Sequence, residues 1–467
     1  MARSGLADLL SAWLPAQRWF AGSGRQIRVE IASDITLAGA SRNGPPWLRH
    51  LIADAWLGQA RVSYQVPVGI RAELPAELAG ARIGALPDGS IAYDGAADPD
   101  LAAVLLHGIA TGRTQGRLHF AAEPGVRIDE TLPGRPLPAL ASNTSVVFGD
   151  KAILKLLRRP FAGHHPDLEV PATLARNGSD LVAAPLGWIE MPGDSAEGAG
   201  SLSPGGESVV LGILSVYFPH STDAWSLATA SLHQPRPDFS VQARQLGETT
   251  GRLHAELAAA FGTSVLSSRA LADLIDAMQT ELSDAMAVVP ELRDHELAVR
   301  SCYGALAAPD TDVTVQRIHG DYHLAQVLGT DGAGSRRDGD RPLRPSRWVV
   351  LDFEGEPSAP LAHRRAYAPA LRDVAGMLRS FDYAARHEAL RRAGGLRDGQ
   401  IAADWVGRCE DAFCAGYGDV AGGDPRGSGP LLRALTIQKA VYEAVYEARH
   451  RPDWLPIPLA AIAEASR

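Results

Sequence analysis

Two short apolar runs, each ending in an acidic turn, constrain this chain more than any other feature. Val313 to Ile318 is apolar-rich and reads as a strand that delivers His319-Gly320-Asp321 into a tight turn. Trp348-Val349-Val350-Leu351 is a second β-type run, ending in Asp352-Phe353-Glu354. A carboxylate on such a turn is carried by a rigid element while its oxygens stay open to a ligand. Two ends of this kind on short strands place their side chains side by side. Asp331 to Ser346, rich in Gly, Asp and Arg, reads as an extended hairpin loop between them.

The spacing suits phosphoryl transfer, which needs a carboxylate to orient a hydroxyl and hard oxygen ligands for Mg²⁺. Asp321 can do the first. Gln326 follows at the distance at which protein kinases carry a metal-binding Asn in H-R-D-x-x-x-x-N. Asp352 stands where kinases put the metal-binding Asp of D-F-G. Either tripeptide alone is commonly just a turn or a strand end. Together, in this order and with Gln326 between them, they favour the kinase reading.

At 467 residues the chain has room for two or three domains, and 46% hydrophobic with 21% charged residues is an ordinary globular balance. The formal net charge of -9, with no Lys/Arg cluster interleaved with aromatics, argues against nucleic-acid binding. A negative chain that binds ATP needs local positive groups. Only Lys151, Lys155 and Lys439 are lysines, the other basic residues being arginine, so these three merit inspection wherever a compact ammonium is required. Cys302, Cys409 and Cys414 lack metal spacing and are odd in number, which points to a reducing compartment. The short run Leu9 to Pro15 follows Asp8 and lacks a signal-peptide core, and no apolar run approaches the roughly 20 residues that cross a bilayer. The expectation is a cytoplasmic protein with no membrane contact.

Along the chain, Gly5 to Trp13 reads as a short helix and Arg61 to Val68 as a strand, with Trp13, Trp19 and Phe20 as core anchors of a small cap. Asp98 to His107 reads as helical and Gly134-Arg135-Pro136-Leu137-Pro138 as a linker. Ser142 to Phe148 and Lys151 to Leu157 form a hairpin about Gly149-Asp150. Ser142, Asn143, Thr144 and Ser145 would meet phosphate with hydroxyls and backbone N–H groups. Lys155 is offered to the phosphates, and Glu169, near the start of a helical run, would pair with it. Asp194 to Gly206 is a low-complexity loop. Val209 to Phe218 suits the strand behind an adenine ring, with backbone groups near Val216 and Tyr217 bonding the base.

Beyond Pro219 the pattern turns helical, in Val241 to Ala260, Ala270 to Val288, the run from Leu371, and Leu431 to His450. His254 reads as a packing or hydrogen-bonding residue, and Asp373 as a carboxylate favoured in a first turn. In the last helix Lys439, Tyr442, Glu443 and Tyr446 share a face that suits sugar hydroxyls, although the same pattern also describes a salt-bridged exposed helix. Trp454-Leu455-Pro456-Ile457-Pro458 would end the helical region as a packed tail.

H-G-D-Y-H-L-A-Q-V-L, V-L-D-F-E-G-E-P, L-R-D-V-A-G-M-L-R-S-F-D-Y-A-A and Y-E-A-V-Y-E-A-R-H-R-P-D-W-L-P-I-P-L resemble actinobacterial maltokinases. So do S-N-T-S-V-V-F-G-D-K-A-I-L-K and L-P-A-Q-R-W-F-A-G, and the likeness runs nearly full length. More broadly the chain resembles kinases of the aminoglycoside-phosphotransferase type. The resemblance implies an α+β, bilobal protein-kinase-like fold with an N-terminal cap: residues 1–135 cap and linker, 136–217 a β-rich N-lobe, 218–467 a helical C-lobe. It implies ATP- and Mg²⁺-dependent phosphorylation of maltose at its anomeric hydroxyl, giving maltose 1-phosphate for α-glucan (glycogen) synthesis. A trehalose-to-maltose isomerase (trehalose synthase) is the partner such a pathway suggests. Asp321 would be the base, Gln326 and Asp352 the metal ligands, Lys155 the phosphate contact, and His323, Glu354, Lys439, Tyr442, Glu443 and Tyr446 the sugar side.

The sequence departs from relatives at Ala325, where many have Gly, and at Ala366 to Ala370, which is usually more polar. Two other readings stand beside maltose. One is a kinase of another sugar such as glucosamine, whose amino group would call for an extra acidic pair and which tends to go with D-F-D-G-N-P rather than D-F-E-G-E-P. The other is a catalytically silent nucleotide-binding partner protein.

Overall fold

The computed structural model describes residues 2–20, 26–37, 46–137, 143–193, 206–307, 312–330, 345–356, 361–392 and 396–465. Ser142 and most of the two Gly-rich stretches, 194–206 and 331–346, lie outside them. The chain forms two compact units, Met1–Ala172 with Ala183–Pro219, and Thr173–Val182 with His220–Arg467.

The first unit is built on two antiparallel sheets. Helix α1 (Ala2–Trp13) precedes β1 (Arg28–Leu37), β2 (Trp47–Leu57), β3 (Ala60–Arg71), β4 (Arg82–Ala85) and β5 (Ile91–Asp94), which lie in the order β1-β2-β3-β5-β4. Strand side chains alternate between faces, and β2 shows the result. Leu51, Ala53 and Ala55 meet Leu6 and Leu10 of α1, Trp19, Phe20 and Tyr64 in one core. Leu48 and Ile52 face the other way, into a core shared with Leu101 and Leu105 of α2 (Pro99–Thr111), Phe120 and Phe148. Asp98 caps α2 by accepting from the Asp100 N–H, and Gly112 ends it in the left-handed region at φ 63°.

The second sheet contains β6 (Thr114–Gln115), β7 (Leu118–Ala122), β8 (Gly134–Pro136), β9 (Thr144–Phe148), β10 (Ala152–Leu156), β11 (Pro185–Met191) and β12 (Val209–Val216). Their order is β6-β7-β11-β12-β10-β9-β8. The segment read as a linker is therefore partly a strand. β8 is an edge strand, where a proline costs no ladder hydrogen bond, and Pro136 stands opposite Val146. A buried polar network ties the two sheets. His50 Nε2 lies 2.7 Å from Gln65 Oε1, and Gln65 Nε2 donates to the carbonyls of Leu157 (2.9 Å) and Leu211 (2.5 Å). The fully buried Arg158 donates to Asp94 (2.5 Å) and Thr144 (2.9 Å), and its guanidinium lies over Trp19. Helix α3 (Pro166–Arg176) follows β10 and is divided between the units.

The second unit is mostly helical. It comprises β13 (Thr222–Asp223), α4 (Ala224–Leu232), α5 (Ser240–Phe261), β14 (Thr263–Val265), α6 (Ser268–Val288), α7 (Glu296–Gly304), β15 (Thr314–Gln316), β16 (Val327–Thr330) and β17 (Arg347–Val350). The chain then runs through α8 (Leu361–Arg364), α9 (Leu371–Arg392), α10 (Leu396–Ala421), α11 (Gly429–His450) and α12 (Pro456–Ala465). The tail expected after Trp454 is helical because its prolines fall at helix-starting positions, where a missing N–H costs nothing. Helices α5 and α10 cross so closely that a Cβ on Gly247 would come within 2.1 Å of the Phe413 carbonyl oxygen. Strands β16 and β17 pair as a hairpin, with Val327 opposite Val350, whereas β15, the strand expected beside β17, pairs with β14. The chain is α+β, a β-rich first unit followed by a helical second.

Candidate functional site

The H-G-D turn leaves β15 and is held by α9. Asp373, in the first turn of α9 and fully buried, accepts from the N–H groups of His319 (2.8 Å) and Gly320 (2.9 Å) and from His254 Nε2 (3.2 Å). Burial alone would raise its pKa, but the hydrogen bond and charge of His254, with His319 and the Gly320 N–H, hold it below the usual carboxylate value. One turn on, Gly376 leaves no room for a side chain, since a Cβ there would lie 2.4 Å from the Tyr322 carbonyl oxygen. Two turns on, the Ser380 hydroxyl accepts from the Leu324 N–H at 3.1 Å. Residues 373, 376 and 380 share one face of a helix, so α9 acts as a template for the loop.

His319 joins the two acidic turns. Its Nε2–H donates to the Leu351 carbonyl at 2.7 Å, which leaves Nδ1 to accept from the Asp321 N–H at 3.3 Å. These partners require the neutral Nε2–H tautomer. The ring also packs on Phe353, with centroids 4.9 Å apart. The loops approach through two glycines in the left-handed region, Gly320 (φ 86°) and Gly355 (φ 67°). A Cβ on Gly320 would lie 3.3 Å from Gly355 Cα.

Gln326 and Asp352 are brought together as the spacing predicts. The Leu351 N–H donates to the Gln326 carbonyl at 2.9 Å, and Gln326 Nε2 lies 3.1 Å from Asp352 Oδ2. Asp352 adopts φ 64°, a conformation costly for a residue with a Cβ and concentrated at functional sites. Carboxylate oxygens of Asp352 and Glu354 lie within 4.8 Å of each other. Glu354, expected on the sugar side, thus stands beside Asp352. An amide oxygen and neighbouring carboxylates are the hard donors that suit Mg²⁺.

Asp321 faces a cation. Lys439 Nζ of α11 lies 2.9 Å from Asp321 Oδ1 and 4.0 Å from Glu356 Oε1, and its ammonium sits over the Tyr442 ring. Burial pushes the Asp321 pKa up, but Lys439 and His323 outweigh it, and the net shift is downward. Lys439 is shifted upward, because Asp321 and Glu356 together overcome its desolvation. His323, 3.9 Å from Asp321, is shifted down by burial, and burial raises Glu356. Glu443 is held by Arg379 of α9 (2.6 Å), which also donates to Asp382 (2.5 Å). Of the predicted α11 face, Tyr446 is exposed and stacks against Tyr442 and His450.

In the first unit several of the predicted groups have partners within the unit. Lys155 Nζ pairs with Asp167 Oδ2 at 2.8 Å, two residues before the expected Glu169. The Thr144 hydroxyl accepts from buried Arg158, so it is engaged within the sheet rather than turned to phosphate. The N–H groups of Val216 and Tyr217 donate to the carbonyls of Ala184 (3.0 Å) and Lys151 (2.9 Å). Ser145 lies on β9 opposite Lys155, and Asn143 precedes that strand. Sequence reasoning missed Asp167, the clamp role of Asp373, and Arg379. The small and polar positions 373, 376 and 380, in phase on one face of the helix, were the available signal for the clamp.

Residues 13–98 match the Maltokinase N-terminal cap domain. A glucosamine kinase of Streptacidiphilus jiangxiensis is 28% identical over 360 residues, 73% of each chain. A glucosamine kinase of Mycolicibacterium smegmatis is 28% identical over 348 residues, 70% of this chain and 78% of that one. Among solved structures, a glucosamine kinase in complex with glucosamine, ADP and inorganic phosphate covers 98% of both chains with a TM-score of 0.64 at 23% identity. Residues 13–98 thus carry the match to the Maltokinase N-terminal cap domain, and the chain shares the fold of a glucosamine kinase.

Proposed function

We propose that this protein transfers the γ-phosphoryl group of ATP to a sugar hydroxyl, with Asp321 orienting that hydroxyl and accepting its proton. The observation that carries the reading is the position of Asp321, on a turn locked by Asp373 and tied through His319 to the loop of Asp352. Gln326 and Asp352, with Glu354 adjacent, would hold Mg²⁺, which when bound neutralises phosphate charge. Lys155, steadied by Asp167, is assigned to the phosphates, with Asn143 and Ser145 as further contacts. Lys439 keeps Asp321 ionised, and His323, Tyr442, Glu443 and Tyr446 are assigned to the sugar side. Residues 1–135, 136–217 and 218–467 are assigned as cap and linker, nucleotide lobe and catalytic lobe.

The sugar we favour is maltose, phosphorylated at its anomeric hydroxyl to maltose 1-phosphate for α-glucan synthesis. Lys439 faces Asp321 and Glu356, and Arg379 occupies Glu443. These carboxylates are already paired with cations, so none of them is set aside for a substrate ammonium, and a neutral sugar does not call for one. A trehalose-to-maltose isomerase would supply such a substrate, and a cytoplasmic location belongs to this reading. Glucosamine is the second reading, favoured by the names of the relatives. The test is ATP consumption with Mg²⁺ and maltose, glucose, glucosamine or an aminoglycoside. A maltose-dependent signal with phosphate on the anomeric oxygen is expected. Preference for glucosamine would overturn the sugar and keep the chemistry, and ATP binding without turnover on any sugar would favour the silent protein.

A further inference from the structure

The second unit has a partly open pocket that the proposed reaction does not use. A cavity of about 220 Å³ lies among α9, α10, α11 and α12, its body formed by Leu378, Val406 and Ile437. At about 30 Å³ per molecule it has room for about seven waters, or for one small organic molecule. Gaps between packed helices are a common setting for such sites.

The charges on its wall and directly behind it do not balance, Arg386 and Glu443 standing behind the lining residues. Asp382 accepts from Arg379 (2.5 Å) and Arg386 (2.7 Å), Glu464 accepts from Arg386 (2.6 Å), and Glu443 takes the other side of Arg379 (2.6 Å). Two guanidinium groups are thus shared by three carboxylates. Glu410 of α10 lines the same cavity and has no hydrogen-bond or ion-pair partner among the described residues. Burial, reinforced by Asp382, raises its carboxyl to about 7. Glu410 is partly buried, and without a donor its charged form is disfavoured there unless a ligand supplies one.

We propose that this cavity binds a small organic cation, an ammonium or guanidinium group on a short apolar stem, with Glu410 as its counter-charge. An anion would meet Asp382, Glu410 and Glu464. A bare metal ion would need several converging oxygens, whereas here Asp382 and Glu464 are already held by guanidinium groups. The apolar wall takes the stem and Glu410 takes the head. This assignment does not depend on the identity of the sugar or on turnover.

The test is calorimetric titration of the full chain with butylammonium chloride, with butyramide as the neutral counterpart. Saturable butylammonium binding is expected, with little heat from butyramide. Glu410→Gln should weaken it by about tenfold or more, and Ala461→Phe, which fills the cavity from α12, should do the same. Thermal melts of both variants establish that they fold, and either folded variant suffices. Absence of saturable binding by the unmodified protein, equal affinity in a folded variant, or equal binding of butyramide would overturn the proposal.

Discussion

Both units bury histidine, carboxylate and amide side chains, and they use them to opposite ends. In the first unit His50, Gln65, Arg158 and Asp94 are directed at main-chain carbonyls and at one another, and their product is a joint between two sheets. In the second, His254, His319 and Asp373 are directed at a turn, and their product is a set of carboxylates on Asp321, Asp352 and Glu354 that the network positions. The local backbone differs accordingly. Asp352 is held at φ 64° beside two left-handed glycines, a strain the surrounding structure must over-determine. A buried polar network marks a candidate site when it holds strained backbone and leaves carboxylates clustered, and marks a joint when it ends on itself.

The largest effect expected on this comparison is that of Asp373→Ala. It leaves two N–H groups and His254 without their acceptor in a buried place, so it should destabilise the fold by about 3–5 kcal/mol and remove turnover. A denaturant titration near that of the unmodified protein would break the clamp assignment. Gln65→Leu is the counterpart in the first unit. It strips a donor from two buried carbonyls and should cost about 1–3 kcal/mol while kcat is retained. A loss of turnover at unchanged stability would erase the distinction between the two networks.

Lys439→Met sharpens the comparison through pH. Lys439 depresses the Asp321 pKa, and Asp321 must be ionised to accept a proton, so activity falls as pH drops through that pKa. Without the ammonium the acid limb of kcat against pH should move to higher pH, by about one pH unit or more. An unmoved acid limb would show that the ion pair does not set the ionisation of the base. The smallest effect expected is that of Gly355→Ala. A Cβ there is 3.2 Å from the Arg364 Cβ in a left-handed backbone, and about 1 kcal/mol of stability should be lost in a thermal melt.

Much of the second unit was readable because its elements carry local signals. The strand end at Asp352 and the kinase-like interval to Gln326 foretold that these two side chains would meet, and helical periodicity marked α5, α6, α9 and α11. Partners distant in sequence were less readable. Lys439 lies 118 residues from Asp321, and its pairing depends on how α11 packs. The pairing of Asp167 with Lys155 depends on where α3 starts, and helix ends are the least determined part of a periodic pattern. Pro136 read as a linker because whether a proline breaks a strand depends on which strand is at the edge, a property of the whole sheet.

The central claim is that Asp321 is the base of a phosphoryl transfer to sugar. Its most direct test is turnover by Asp321→Asn, with ATP binding measured alongside. A fall in kcat of about 10² or more with ATP still bound is the predicted result. Turnover close to that of the unmodified protein would contradict the account.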